Sequence, residues 1–325
     1  MSTAVEEKQL TWLVQRDGGG SAPGASSAEL AEPGDELLLS VPALTPGLQL
    51  VRACLVLVFV VSFTLFIQLV VVSRLQASAA QGRGFDRLRS ELANGTAPIG
   101  PVDDHGREFP AGTPLAFMKI PAIGLNQVIG EGTTASALFA GPGHRRDTVL
   151  PGQIGSSVVY GRRAAFGGPF SDIGELKAGD KIMVATGQGE FTYKVLGVRQ
   201  EGDPAPPPLA SGGSRLQLVT AGGTAFLPDG VVRVDADIVG TPVVGASRVV
   251  STAGLSANER VMAGDTSTLW ALALWLQALV ALALGIVWAW HRLGRAQMWV
   301  VFLPTVLLVG LATSGEVARL LPNLL

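Results

Sequence analysis

The stretch "RLQLVTAGG", Arg215 to Gly223, alternates Leu216, Leu218 and Thr220 with Gln217, Val219 and Ala221, and then meets a glycine pair. A side-chain period of two is that of a β-strand, and the glycines are expected to break it. Similar runs surround it between Leu115 and Val239: "LAFMKI", "SSVVYG", "KIMVAT", "EFTYKVLGV" and "VVRVDADIV". Gly, Pro and Asp separate them at regular intervals, the texture of a compact β-sandwich or barrel. "ATGQGEFTYKV" reads as a hairpin, with Gly187 and Gly189 supplying the positive φ of a tight turn. The question raised by the first stretch is whether Ala221 merely ends a strand or occupies the place of a reactive group.

Outward from this region the chain is apolar for its size. Of its 325 residues, 48% are hydrophobic and 15% charged, which points to membrane segments. Three uncharged runs, Ala53 to Ser73, Thr266 to Trp290 and Ala296 to Gly315, each approach the length of about 20 residues that spans a bilayer as a helix. Trp270, Trp288, Trp290 and Trp299 sit near run ends, where the interface favours indoles. Pro304 is tolerable inside such a helix. Ala77-Ser78-Ala79 resembles a cleavage site, but the first run begins too deep for an ordinary signal sequence and is read as a retained anchor.

The predicted division is a disordered tail over 1–50, containing "GGGSAPGASS", and a membrane helix over 51–73. A helical stalk and irregular linker follow over 74–113, then the β domain over 114–240 and a small, polar tether over 241–265. Membrane helices over 266–290 and 296–315, joined by "HRLGR", form an antiparallel hairpin. Gln68 or Gln277 could contribute a hydrogen bond across helices in contact with another membrane protein, or could simply face its own bundle. Asn94-Gly95-Thr96 matches a glycosylation sequon by pattern alone.

The net charge of −2, without a basic arm, argues against a nucleic-acid partner. The lone cysteine, Cys54, excludes an internal disulfide, a CxxC pair and a cysteine-cluster zinc site, and its apolar run disfavours a nucleophilic thiolate. No cofactor or metal is expected.

Within the β domain, "IPAIGLNQVIGEG", "LFAGPGHRRDTVLPGQIG", "VVYGRRAAFGGPF", "LKAGDKI", "LQLVT" and "VVRVDADIV" follow one another in an order that resembles the sortases of Gram-positive bacteria, especially the actinobacterial forms. The resemblance implies a closed β-barrel beside the three helices. It also implies a cysteine transpeptidase acting on cell-wall proteins, in which a thiolate attacks a peptide carbonyl, a histidine handles the proton and an arginine stabilises charge. The family's cysteine position falls on Ala221 and its histidine position on Arg162, in Gly161-Arg162-Arg163; its arginine is matched by Arg233. A methyl group forms no acyl-enzyme, and arginine is no proton shuttle.

The resemblance thus implies a pseudoenzyme that binds or positions a cell-envelope partner: a true sortase, a sorted surface protein or an anionic ligand. A degenerate but active transpeptidase or hydrolase, and a purely structural envelope protein, are the alternatives. The binding candidates are Arg162, Arg163, Arg233 and His144. The plainer role of His144 is that of a barrel-edge histidine, and strand alternation turns Thr220 away from Ala221. Arg162, on its long stem, is expected to swing to solvent; the sharper alternative is that it joins Arg233 around a carboxylate, a phosphate or an acidic peptide. Arg292 and Arg295 place the hairpin loop inside, and the β domain therefore outside the cell membrane. Arg74, Arg83, Arg87 and Arg89 count the other way, so that orientation follows mainly from the resemblance.

Overall fold

The computed structural model of the chain describes residues 46–103, 105–245, 251–290 and 295–325. The predicted tail lies outside the described residues up to position 45. Its last positions belong instead to a helix, because Pro46 suits a first helical turn and an apolar run follows. Helix α1 (Pro46–Ile67), a π turn (Gln68–Val72) and helix α2 (Ser73–Asn94) run on without interruption. At 1.5 Å per residue they extend about 70 Å, against a bilayer core of about 30 Å. Gly95, at φ 69°, caps the end by donating its N–H to the carbonyls of Glu91 and Leu92.

Eight strands follow: β1 (Pro114–Ile120), β2 (Leu125–Glu131), β3 (Gly143–His144), β4 (Gly155–Tyr160), β5 (Lys181–Thr186), β6 (Gly189–Arg199), β7 (Ser214–Thr224) and β8 (Leu227–Val239). They close into a barrel in the order β1-β2-β3-β4-β7-β8-β6-β5. The pairs β2–β3 and β4–β7 are parallel and the other described pairs antiparallel. Inward-facing Val159, Ile182, Val184, Leu218 and Val234 belong to the main core. Closure pairs each strand with two neighbours, although the short β3 leaves part of β2 without a strand partner on that side.

Two local readings change. Strand β7 does not break at the glycine pair. It continues to Thr224 through a register shift between Ala221 and Gly223, where Gly223 takes φ 79° and a Cβ on Gly222 would lie 2.3 Å from the Asp229 carbonyl. The β5–β6 hairpin has only Gly189 at positive φ. Gly187 is needed instead for close approach, since a Cβ there would meet the Ala97 carbonyl at 3.0 Å.

Helices α3 (Leu269–Trp290) and α4 (Arg295–Leu320, with Pro304 inside) pack together, and α4 also packs on α1. The link 291–294 lies outside the described residues. The three segments Leu55–Asn94, Thr266–Ala289 and Val300–Leu320 are long and apolar enough to cross a membrane. The α1–α4 contact is made by small residues: Ser314 Oγ donates to Thr64 Oγ1 at 3.3 Å, and a Cβ on Gly310 would meet Thr64 at 2.8 Å. Gln277 lies on an exposed face of α3, and Gln68 is buried at the π turn.

The segment 251–265 is more than a tether. Leu255, Glu259 and Asp265 are buried, Glu259 pairs with Arg146 at 3.0 Å, and its carbonyl accepts from Thr133 Oγ1 at 2.7 Å. Gln81 on α2 fastens the helix to the barrel. Its amide donates to the carbonyls of Val128 (3.1 Å) and Ala140 (2.7 Å), and its oxygen accepts from the Val128 N–H (2.7 Å). Gln81→Ala strands these backbone groups at a protein contact, and should lower the thermal midpoint of the detergent-solubilised chain by an amount equivalent to about 1–3 kcal/mol; an unchanged midpoint would show that α2 is not held by this clamp.

Candidate functional site

Alternation along β4 and β7 gives the barrel a second, outward apolar face. Val158 and Tyr160 on β4, Val219 and Ala221 on β7, and Val231 on β8 form a cluster separate from the main core. The face is not open to solvent, because Leu138, Leu324 and Leu325 complete the same cluster and leave Ala221 0% exposed. Thr220 points the other way, fully buried, with Oγ1 donating to the Gly161 carbonyl at 2.9 Å.

Arg162 does not swing to solvent. It is 0% exposed, with Nη1 donating to the backbone oxygen of Leu325 (3.0 Å) and Nη2 to that of Ala135 (3.1 Å). Its guanidinium carbon lies 4.8 Å and 5.1 Å from the ring centroids of Phe139 and Phe166, which are themselves stacked at 3.8 Å. Two carbonyls and an aromatic pair thus replace water, and the long stem that was expected to carry the charge outward carries it inward. Burial pushes its pKa down to about 9. Its Nε–H has no hydrogen-bond partner among the described residues.

Local backbone prepares this pocket. Phe166 takes φ 54°, a conformation uncommon for a bulky residue, and its N–H donates to Ser73 Oγ at 3.3 Å. Gly161 allows the Phe170 ring to close over the turn, since a Cβ there would lie 2.4 Å from that ring. Arg163, half-buried, donates from Nη1 to the Ala221 carbonyl at 3.2 Å.

Arg233 pairs across the sheet with Val219, which places it on the groove side. Among the described residues no carboxylate forms an ion pair with it. It lies near Tyr160, whose phenol is pushed up by burial, with Arg145 and Arg233 acting in opposition. Beside Tyr160 opens a pocket of about 440 Å³ lined by Arg145, Thr252, Leu255, Arg260 and Val261. Burial works against the charge on Arg145, but the 2.6 Å pair with Asp147 and the nearby Tyr160 phenol together outweigh it and raise the pKa.

His144 stands apart. It pairs with Val159, a core residue, and so faces away from Tyr160 and the groove. It is 2% exposed, with Nδ1 3.2 Å from Glu131 Oε2 and Nε2 2.9 Å from the Val149 carbonyl. The structure therefore gathers Ala221, Arg162, Arg163 and Arg233 around one groove and leaves His144 in the barrel wall. No pattern in the sequence marks Arg145, Tyr160 and Arg260 as pocket residues, or Leu324 and Leu325 as groove residues, because each owes its place to contacts distant along the chain.

Residues 118–222 match the sortase domain family model. Sortase D of Bacillus subtilis (strain 168) is 35% identical over 85 residues, a match covering 26% of this chain and 41% of that relative's length. Among solved structures, a Clostridium perfringens Sortase D5 transpeptidase is 20% identical with a TM-score of 0.41, covering 50% of this chain and 99% of its own. Sortase E1 of Streptomyces coelicolor is 27% identical with a TM-score of 0.35, covering 40% and 91% respectively.

Arg162→Ala should lower the thermal midpoint by the equivalent of about 2–4 kcal/mol, because it empties the place beside the two rings and strands two carbonyls. Arg162→Lys should not restore it, since an ammonium lacks the planar fork. Full stability of the alanine variant would show that the buried guanidinium is idle.

Proposed function

Because the barrel of this chain is a sortase-family domain, matched over residues 118–222, we propose that the whole chain is a catalytically inactive, membrane-anchored relative that binds or positions a cell-envelope partner. The observation that carries this reading is the pair Ala221 and Arg162. A methyl group stands on the groove face where the resemblance expects a thiol, and a guanidinium committed to two backbone carbonyls stands where it expects an imidazole. A methyl group cannot attack a carbonyl, and a guanidinium whose two Nη groups are spent on backbone oxygens is not poised to shuttle a proton. His144 is held by Glu131 and Val149 on the opposite face, and Thr220 points into the barrel, so neither of these two supplies the missing chemistry.

What remains is recognition. Arg233, Arg145 and Arg260 bring positive charge to the groove and the pocket beside it, an arrangement suited to a carboxylate, a phosphate or an acidic peptide. The partner is accordingly a sorted surface protein, a true sortase or an anionic envelope polymer of a Gram-positive, actinobacterial-type cell. The barrel would work on the outer face of the membrane, with the helices as anchors. The occupation of the groove by Leu324 and Leu325 favours a second reading, a structural envelope protein whose groove serves only to join barrel and helices.

Oligoglutamate peptide at low ionic strength separates the two. Under the binding reading it raises the thermal midpoint of the full chain, and Arg145→Ala/Arg233→Ala abolishes the rise. Identical responses of both proteins would leave the structural reading. An acyl adduct on the full chain after incubation with a peptide thioester, seen by intact-mass spectrometry, would overturn the inactive assignment.

A further inference from the structure

The segment that follows α4 is held in the groove as a peptide ligand would be. Leu324 and Leu325 lie on the face made by Val158, Tyr160, Val219 and Ala221. The Leu324 carbonyl accepts from the Arg163 N–H at 2.9 Å, and that of Leu325 from Arg162 Nη1 at 3.0 Å. Asn323 fixes the approach: its N–H donates to the Ala263 carbonyl at 2.8 Å, and its side-chain amide to those of Thr133 (2.8 Å) and Arg260 (2.9 Å). A bond from the Leu325 N–H to the Pro322 carbonyl, 3.1 Å, closes the segment on itself.

The junction is also less complete than a permanent core. Arg162 Nε and Asn323 Oδ1 are buried there without hydrogen-bond partners among the described residues. Buried polar atoms of a settled interior are nearly always paired, so these two mark a surface able to part and rehydrate. The same Arg260 whose carbonyl holds Asn323 lines the open 440 Å³ pocket, which gives the covered groove a solvent-facing entrance.

We propose that Pro322–Leu325 is a displaceable internal occupant of the groove, and that the external ligand is a peptide with two adjacent apolar side chains whose carbonyls meet Arg162 and Arg163. Only the external ligand rests on the binding reading given above; the occupancy does not. Recognition uses main-chain oxygens and two leucine side chains, so another chain of that form fits the same contacts. A tether holds the occupant at an effective concentration on the order of millimolar, so a free peptide of equal affinity competes poorly while α4 keeps its place.

The test uses the full chain in lipid nanodiscs, with Cys54→Ser removing the native thiol and Ala221→Cys reporting on the groove. The rate of modification by a charged maleimide should be low in this protein. It should rise about tenfold or more with Leu324→Asp/Leu325→Asp, which places two charges on an apolar face, and several-fold with Asn323→Ala. Ala236→Cys, in the inner core, reports unfolding and should stay unreactive throughout. If the aspartate pair also exposes that control, Asn323→Ala decides. Equal rates at Ala221→Cys with and without the release variants overturn the occupancy.

A fluorescent peptide of the sequence 321–325, LPNLL, addresses the second half. It should bind the Leu324→Asp/Leu325→Asp protein at least about tenfold more tightly than the unaltered one, the competing tether having been removed. An opened groove that takes no peptide would leave the internal occupant standing and overturn the external ligand.

Discussion

The buried guanidinium of Arg162 is the constraint on which the arrangement of barrel and helices depends. A charge removed from water needs acceptors on several sides, and here they come from different parts of the chain: Ala135 between β2 and β3, Leu325 beyond α4, and the faces of Phe139 and Phe166. Phe166 is in turn tied to Ser73, where the π turn passes into α2. The barrel, the long first helix and the region after α4 thus converge on one side chain. Its acceptors among the described residues are backbone oxygens and aromatic faces. Such an arrangement fixes position more than it adds stability, since taking the charge out of water costs most of what the contacts return.

How much of this was legible in the sequence follows from the range of the forces involved. Strands β1, β4, β5, β6 and most of β7 and β8 show as alternating or β-rich runs, because each signals its own buried face over a few residues. Strand β2, "LNQVIGE", has a polar exposed face and a glycine, and β3 has two residues, so neither stands out by period. The glycine pair after Ala221 reads as a break when viewed locally. Opposite β8 it becomes a bulge, since the partner strand supplies the hydrogen bonds that a lone strand end would lack.

The groove was half legible. Ala221, Arg162 and Arg233 could be placed by the ordered motifs, and Thr220 by alternation, but the direction of Arg162 could not. A guanidinium on a flexible stem goes to water unless acceptors and rings wait inside, and these come from residues 135, 139, 166 and 325. The contacts of 251–265, part of the segment read as a tether, were hidden for the same reason. Small polar residues look solvated until Glu259 meets Arg146 and Asn323 meets the Ala263 and Arg260 carbonyls.

These contacts couple the groove to the membrane. The end of α4 is clasped by the Asp265 N–H on the Arg319 carbonyl at 3.0 Å, and a Cβ on Gly264 would lie 2.5 Å from the Leu320 carbonyl. Four residues later the same backbone lies on Ala221's face. Along so short a stretch of chain there is little slack, so a shift of α4 relative to the barrel, by even a fraction of a helical turn, must be taken up by the contacts of Asn323, Leu324 and Leu325 or by the helix packing at Thr64 and Ser314. The latter is a close contact of small residues with two hydroxyls and resists separation, whereas the former includes two unpaired buried polar atoms. Strain from the helix side is therefore expected to appear first in the groove, which makes the Ala221 face the yielding end of a helix-to-barrel linkage.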